Sequence, residues 1–148
     1  MEQSNAKILS DIEQYGCHVL HILEEENWPR FTYSIGIEKT NNHPEIIVTG
    51  LRRDLAHSII NECHARIQAG ETFEVENFYG DLIEGVDVTF RQVEPKHYTE
   101  YFGSAIWFYK SRNFRVLQLI YPSTSGIWPW EPDAPEAFKF FLPVLYAH

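Results

Sequence analysis

Residues 43–70 read HPEIIVTGLRRDLAHSIINECHARIQAG, and a change of period inside this stretch decides the fold. PEIIVT (44–49) is an apolar, β-branched run of strand length, entered through a proline and left through Gly50. From Leu51 onward the apolar residues recur every fourth place, at Leu51, Leu55, Ile59, Cys63 and Ile67, while Arg53, His57, Asn61, His64 and Gln68 hold roughly the opposite face. That spacing predicts a surface helix over 51–69, closed by Gly70 and laid on the sheet to which the strand belongs.

Upstream, FTYSIGI (31–37) alternates, with Phe31, Tyr33, Ile35 and Ile37 on one face and Thr32, Ser34 and Gly36 on the other. A period of two predicts a half-buried strand whose small face admits a close neighbour, and the turn-rich EKTNNH lets it pair back with 44–49. CHVLHIL (17–23) is a further strand, stopped by Glu24, Glu25, Glu26 and Pro29, and residues 4–15 form an amphipathic helix ended by Gly16. Downstream, 72–76 and 86–93 are strand candidates with acids on their outer faces. Residues 95–112 are helical in two pieces broken at Gly103, and RVLQLIY (115–121) is a central apolar strand. Five of the eight prolines fall in the last 27 residues, which predicts ordered coil with a short helix near 134–140. The expectation is one α+β domain over 1–148, with a mixed or antiparallel sheet of five to six strands, two or three covering helices and a Pro/Trp-rich C-terminal segment.

A chain of 148 residues buries about two-thirds of its unfolded surface in one core. Cys17 and Cys63 lie far apart without a Cys-x-x-Cys spacing and are expected as reduced core thiols. The N-terminal residues lack a basic, apolar leader and no segment has the length of a membrane span, so a cytoplasmic location is expected, with no membrane partner. The net charge of −9 is uneven: −4 over 1–70, −6 over 71–100 and +1 over 101–148. Such a surface repels a phosphate backbone, which argues against nucleic acid, and attracts basic ligands, including basic proteins.

Motifs for chemistry are sparse. His57 and His64 share a helix but stand about 10 Å apart along its axis, and His18 and His21 point to opposite faces of a strand, so neither pair meets one ion. Asp81, Glu84 and Asp87 fit no calcium loop. Neither a metal nor any other cofactor is expected. Cys17 and His21 are about 13 Å apart on one strand, out of contact, although a dyad assembled across elements stays open. The reading leans away from an enzyme. What remains is aromatic: in QLIYPSTSGIWPWEP (118–132) the prolines restrict their neighbours, so Trp128 and Trp130 are either rigid contact residues or a lid folded inward. Trp28, before Pro29, has the same two readings.

FTYSIGI, HPEIIVTGL, QLIYPSTSGIWPWEP and the closing LPVL (142–145) resemble the bacterial family of domain of unknown function 4262 across nearly the whole chain. Phe31, Tyr33, Gly36, Pro44, Glu45, Gly50, Gln118, Pro122, Gly126, Pro129 and Trp130 fill the places of its pattern; Ser123 stands where the resemblance implies an acid. More distantly, the Tyr-x-x-Gly strand and Pro-Glu strand are similar to the suppressor-of-fused superfamily, whose bacterial relatives include toxin-neutralising immunity proteins. With no catalytic set, the expected function is protein binding, most concretely by an immunity protein that blocks a basic toxin domain. Glu74, Glu76, Asp81, Glu84 and Asp87 then supply the field, and Trp28, Trp128 or Trp130 the anchor. The alternative is a small-molecule binder or enzyme with an aromatic-walled pocket around Tyr33 and the tryptophans, suited to a flat ligand. The oligomeric state is not legible from the sequence.

Overall fold

The structure, a computed structural model, describes residues 2–147, with side chains from Asn5 onward. It is a single α+β domain built on one six-stranded mixed sheet, in the order β1-β2-β3-β6-β5-β4. The strands are β1 (His18–Ile22), β2 (Phe31–Ile35), β3 (Glu45–Thr49), β4 (Phe78–Ile83), β5 (Val86–Gln92) and β6 (Val116–Ile120). Only β3 and β6 run parallel; every other neighbouring pair is antiparallel. The helices are α1 (Glu2–Tyr15), α2 (Ile37–Asn41), α3 (Arg53–Gln68), α4 (Tyr98–Tyr101), α5 (Gly103–Tyr109) and α6 (Glu136–Phe141).

The sheet has a core on each face. On one, Ala56, Ile59, Ile60, Cys63 and Ile67 of α3 meet Ile46, Val48, Leu117, Leu119, Val88 and Phe90. On the other, Ile8 and Ile12 of α1 and Tyr98, Tyr101, Phe102 and Ala105 of α4–α5 meet Tyr33, Ile35, Ile47 and Val116. Every residue of β2, β3 and β6 is therefore buried, and the half-buried strand expected at 31–37 is buried on both faces. Its small face does admit a close neighbour, because α3 packs over β2.

FTYSIGI also ends earlier than its alternation implies. Gly36 takes φ 113°, a left-handed conformation that a side chain resists, and starts the one-turn helix α2 at Ile37. Glu45 causes this. Paired residues of β2 and β3 stop at Tyr33–Ile47, and beyond that point the Glu45 carboxylate enters the gap between the two chains. It accepts from Ser34 Oγ (2.8 Å) and from the backbone N–H groups of Gly36 (3.0 Å), Ile37 (3.1 Å) and Glu38 (3.2 Å). Tyr109 Oη, on α5, donates to the same carboxylate. A buried carboxylate thus caps α2 and holds α5 to the sheet.

A second departure from the sequence reading lies at 72–76, which is coil; the strand forms six residues later, as β4. Phe73 N–H donates to His43 Nε2 (3.1 Å), Glu74 N–H to Tyr79 Oη (2.8 Å) and Glu76 N–H to Phe90 O (3.0 Å). The His43 and Tyr79 side chains take two of the donors that a strand partner would have used, and the φ of 65° at Glu76 breaks extended geometry. The remaining elements lie close to their expected places: β6 is central, the helical stretch breaks between Tyr101 and Gly103, and both cysteines are free and buried. No helix among the described residues is long and apolar enough to cross a membrane.

Burial raises the Glu45 carboxyl to about 7 against the pull of its donors. A carboxyl whose folded pKa lies above its unfolded value stabilises the fold below the unfolded pKa and loses that contribution as pH rises through the folded one. Urea unfolding of the wild type should therefore lose up to about 3 kcal/mol between pH 4.5 and pH 8 relative to Glu45→Gln, whose amide does not titrate. At low pH the variant should still be about 2 kcal/mol the less stable, since its –NH2 faces donors. Parallel pH profiles for the two proteins would refute the assignment.

Candidate functional site

Two surfaces gather the chemistry-bearing side chains, and they lie at opposite ends of the sheet. The first is the β4 edge. The hairpin β4–β5 turns at Glu84 and Gly85, and its register shifts between Tyr79 and Ile83. Trp128 and Trp130 stack with ring centroids 5.2 Å apart and planes 2° from parallel, and Phe78 meets Trp128 edge-on at 5.6 Å. The Arg91 guanidinium lies 4.7 Å from the Trp130 ring centroid and 3.8 Å from Glu76. Trp128 is half-buried against the core, whereas Trp130 is 42% exposed. Trp128 thus turns toward the core and Trp130 toward the surface.

The carboxylates expected to supply the field divide as well. Asp81 pairs with Arg66 at 3.1 Å and Glu76 with Arg91, while Glu74, Glu84 and Asp87 are exposed and make no ion pair among the described residues. Trp28 is elsewhere. It packs edge-on against Tyr101 (5.3 Å) at the mouth of a hollow of about 450 Å³ shared with Phe31 and Tyr33. That hollow adjoins β1, five strand spacings or about 24 Å from β4, so Trp28 and Trp130 do not form one footprint.

The second surface is a groove of about 650 Å³ between α1, β1 and α3. The polar stripe of α3 lines it: Arg53, His57, Asn61, His64 and Gln68 face across to Lys7, Asp11 and Tyr15 of α1. His18 and His21 point to opposite faces of β1, as strand geometry requires, and each finds a partner there. His18 Nδ1 lies 2.7 Å from Asp11 Oδ2, and His21 Nδ1 lies 3.0 Å from Thr32 Oγ1. His21 Nε2 also lies 3.0 Å from His57 Nδ1, with the two rings stacked. Burial, then the neighbouring charges of Arg53, His57 and His18, lowers His21 to about 4, so this imidazole is neutral at pH 7. Burial lowers His64 too.

The thiol, imidazoles and carboxylate that were not expected to meet line this one groove. They do not form a nucleophilic set. Cys17 is buried, its Sγ is 3.5 Å from His18 O, and burial drives the thiol upward, away from the reactive thiolate. No three metal-ligating side chains converge among the described residues. Sequence spacing missed the His21–His57 pair because its members are 36 residues apart and meet only when α3 docks on β1.

The chain belongs to the family described as domain of unknown function DUF4262, whose profile matches residues 11–135. No curated protein and no solved structure matches it, and neither comparison supports the more distant likeness to suppressor-of-fused immunity proteins. The residues that carry the family resemblance are mostly tie points of the fold. Glu45 and Gly36 form the cap described above. Gln118 donates to Pro143 O (2.8 Å) and accepts from Leu145 N (3.3 Å), which fastens LPVL to β6. Ser123 Oγ accepts from the N–H groups of Ser125 (3.3 Å) and Ile127 (3.1 Å), so a hydroxyl caps this turn where a carboxylate was expected.

In an NMR pH titration, His21 should remain neutral down to about pH 4. Because the charge on His57 is one of the causes of that depression, His57→Ala should raise the His21 pKa while leaving it below the ordinary value, since burial is the larger cause. An unchanged His21 titration in the variant would show that the two rings do not interact in solution.

Proposed function

We propose that this family member is a protein-binding module for a basic partner, with neutralisation of a toxin domain as the most concrete case. The observation that carries this reading is the aromatic cluster beside an edge strand: Phe78 is 58% exposed, Trp130 is 42% exposed, and Trp128 joins them. Aromatics already held by stacking lose little rotamer freedom on contact, which favours them as binding anchors. Glu84 and Asp87 on the same hairpin, and Glu74 on the segment leading into it, are exposed carboxylates, and such charges steer a basic partner and set its orientation. The shifted register within β4 discourages sheet-to-sheet self-pairing while leaving the side chains presented.

A pull-down from the native host with the intact chain as bait should recover one basic protein. The Phe78→Ala/Trp130→Ala variant should lose it through faster dissociation. Glu74→Gln/Glu84→Gln/Asp87→Asn should slow association about tenfold and flatten its salt dependence. Equal recovery by all three baits, or no specific partner, would defeat the proposal.

A second reading, a binder of a flat ligand, draws support from the hollow walled by Trp28, Phe31, Tyr33 and Tyr101. Native mass spectrometry of freshly purified protein should then show a bound mass that Trp28→Ala loses. A ligand-free spectrum would remove this reading.

A further inference from the structure

We propose that the groove between α1, β1 and α3 is a binding site for a small anion, a phosphate- or carboxylate-bearing molecule, held by Arg53 and the His21–His57 pair. The site is independent of the β4 edge, and the inference does not rest on the protein-binding reading.

Charge is the first argument. Arg53 is exposed at the groove and forms no ion pair among the described residues, and Lys7 stands across from it. The acid within the groove, Asp11, is already bound by Lys7 (2.8 Å) and His18 (2.7 Å). Asp54, next to Arg53, lies 3.8 Å from Arg52. A locally cationic groove on a chain of net charge −9 is unexpected from composition, and it attracts what the rest of the surface repels. Arg53 also opens α3, a helix of 16 residues with no side-chain cap at its start, so the positive end of the helix faces the same region.

The hydrogen-bond chain is the second. Thr32 Oγ1, His21 and His57 are linked in series, and two proton arrangements satisfy both links. In one, His57 Nδ1–H donates to His21 and leaves His57 Nε2 an acceptor. In the other, Thr32 O–H donates to His21 Nδ1, His21 Nε2–H donates to His57 Nδ1, and His57 Nε2–H becomes a donor. An anion selects the second. At the far end of the groove, about 16 Å along α3 from Arg53, His64 is only 8% exposed and its buried Nε2 makes no hydrogen bond, so it stands outside the reach of a small anion held at Arg53. A volume of about 650 Å³ suits a metabolite rather than a single inorganic ion. The arrangement does not suit a metal ion, since no three ligands converge among the described residues and Arg53 and Lys7 repel cations.

The test uses the intact chain with 15N-labelled histidine, titrated separately with inorganic phosphate and with succinate. Saturable shifts at His21 and His57 are expected, ending in the tautomer with the proton on His57 Nε2. The probe that saturates at the lower concentration identifies phosphate or carboxylate as the preferred group. Arg53→Gln, an exposed substitution, should weaken binding at least about tenfold, as loss of a charged hydrogen-bond donor does. Trp130→Ala, at the opposite edge, should leave it unchanged. Failure of both probes to saturate in the millimolar range, equal affinity in Arg53→Gln, or tight zinc binding in place of either anion would overturn the assignment.

Discussion

The carboxylate of Glu45 is the constraint on which the rest of the structure depends. It replaces the last rungs between β2 and β3, accepts five hydrogen bonds and is wholly removed from solvent. Desolvating a carboxylate is costly, and here backbone amides, a serine and a tyrosine from three separate elements converge to offset part of that cost. The geometry of Gly36, the start of α2 and the docking of α5 all follow from that convergence. A Cβ at Gly36 would in addition lie 2.9 Å from Ile12 of α1, so the same corner sets where the first helix rests.

With that corner set, the C-terminal segment is tied down by independent bonds. Tyr121 Oη donates to Thr49 O (2.7 Å) and Gln118 holds the backbone at Pro143 and Leu145. Residues 122–135 are thereby a braced loop between two attachment points. This explains how a coil segment rich in proline presents Trp130 at one place beside β4. Rigidity of this kind comes from packing and hydrogen bonding around the loop more than from its prolines alone.

Covering both faces of the sheet also decides what the polar side of α3 becomes. A helix with one apolar stripe ordinarily turns its other side to water. Here α1 lies beside β1 close enough to wall off part of that side, so the stripe from Arg53 to Gln68 lines a groove and His64 is buried. Four imidazoles then share one space, His18, His21, His57 and His64, on a chain whose charge otherwise favours cations. The two candidate surfaces differ in sign and chemistry: acidic and aromatic at β4, cationic and histidine-rich at β1.

Local pattern was enough for the fold class, for the α3 helix, for the central place of β6 and for the break near Gly103, because periodicity and glycine punctuation are properties of neighbouring residues. It was enough, too, for the buried cysteines. It misplaced the strand before Gly80 because His43 and Tyr79, distant from or beyond the segment, claim its backbone donors. Glu45 carried a family signature without a visible reason, and His21 and His57 carried no signal at all. Those contacts exist only once α3, α5 and β1 are packed together: a period reports which face of an element is apolar, whereas the partner of a polar side chain is decided by which element the fold sets against it.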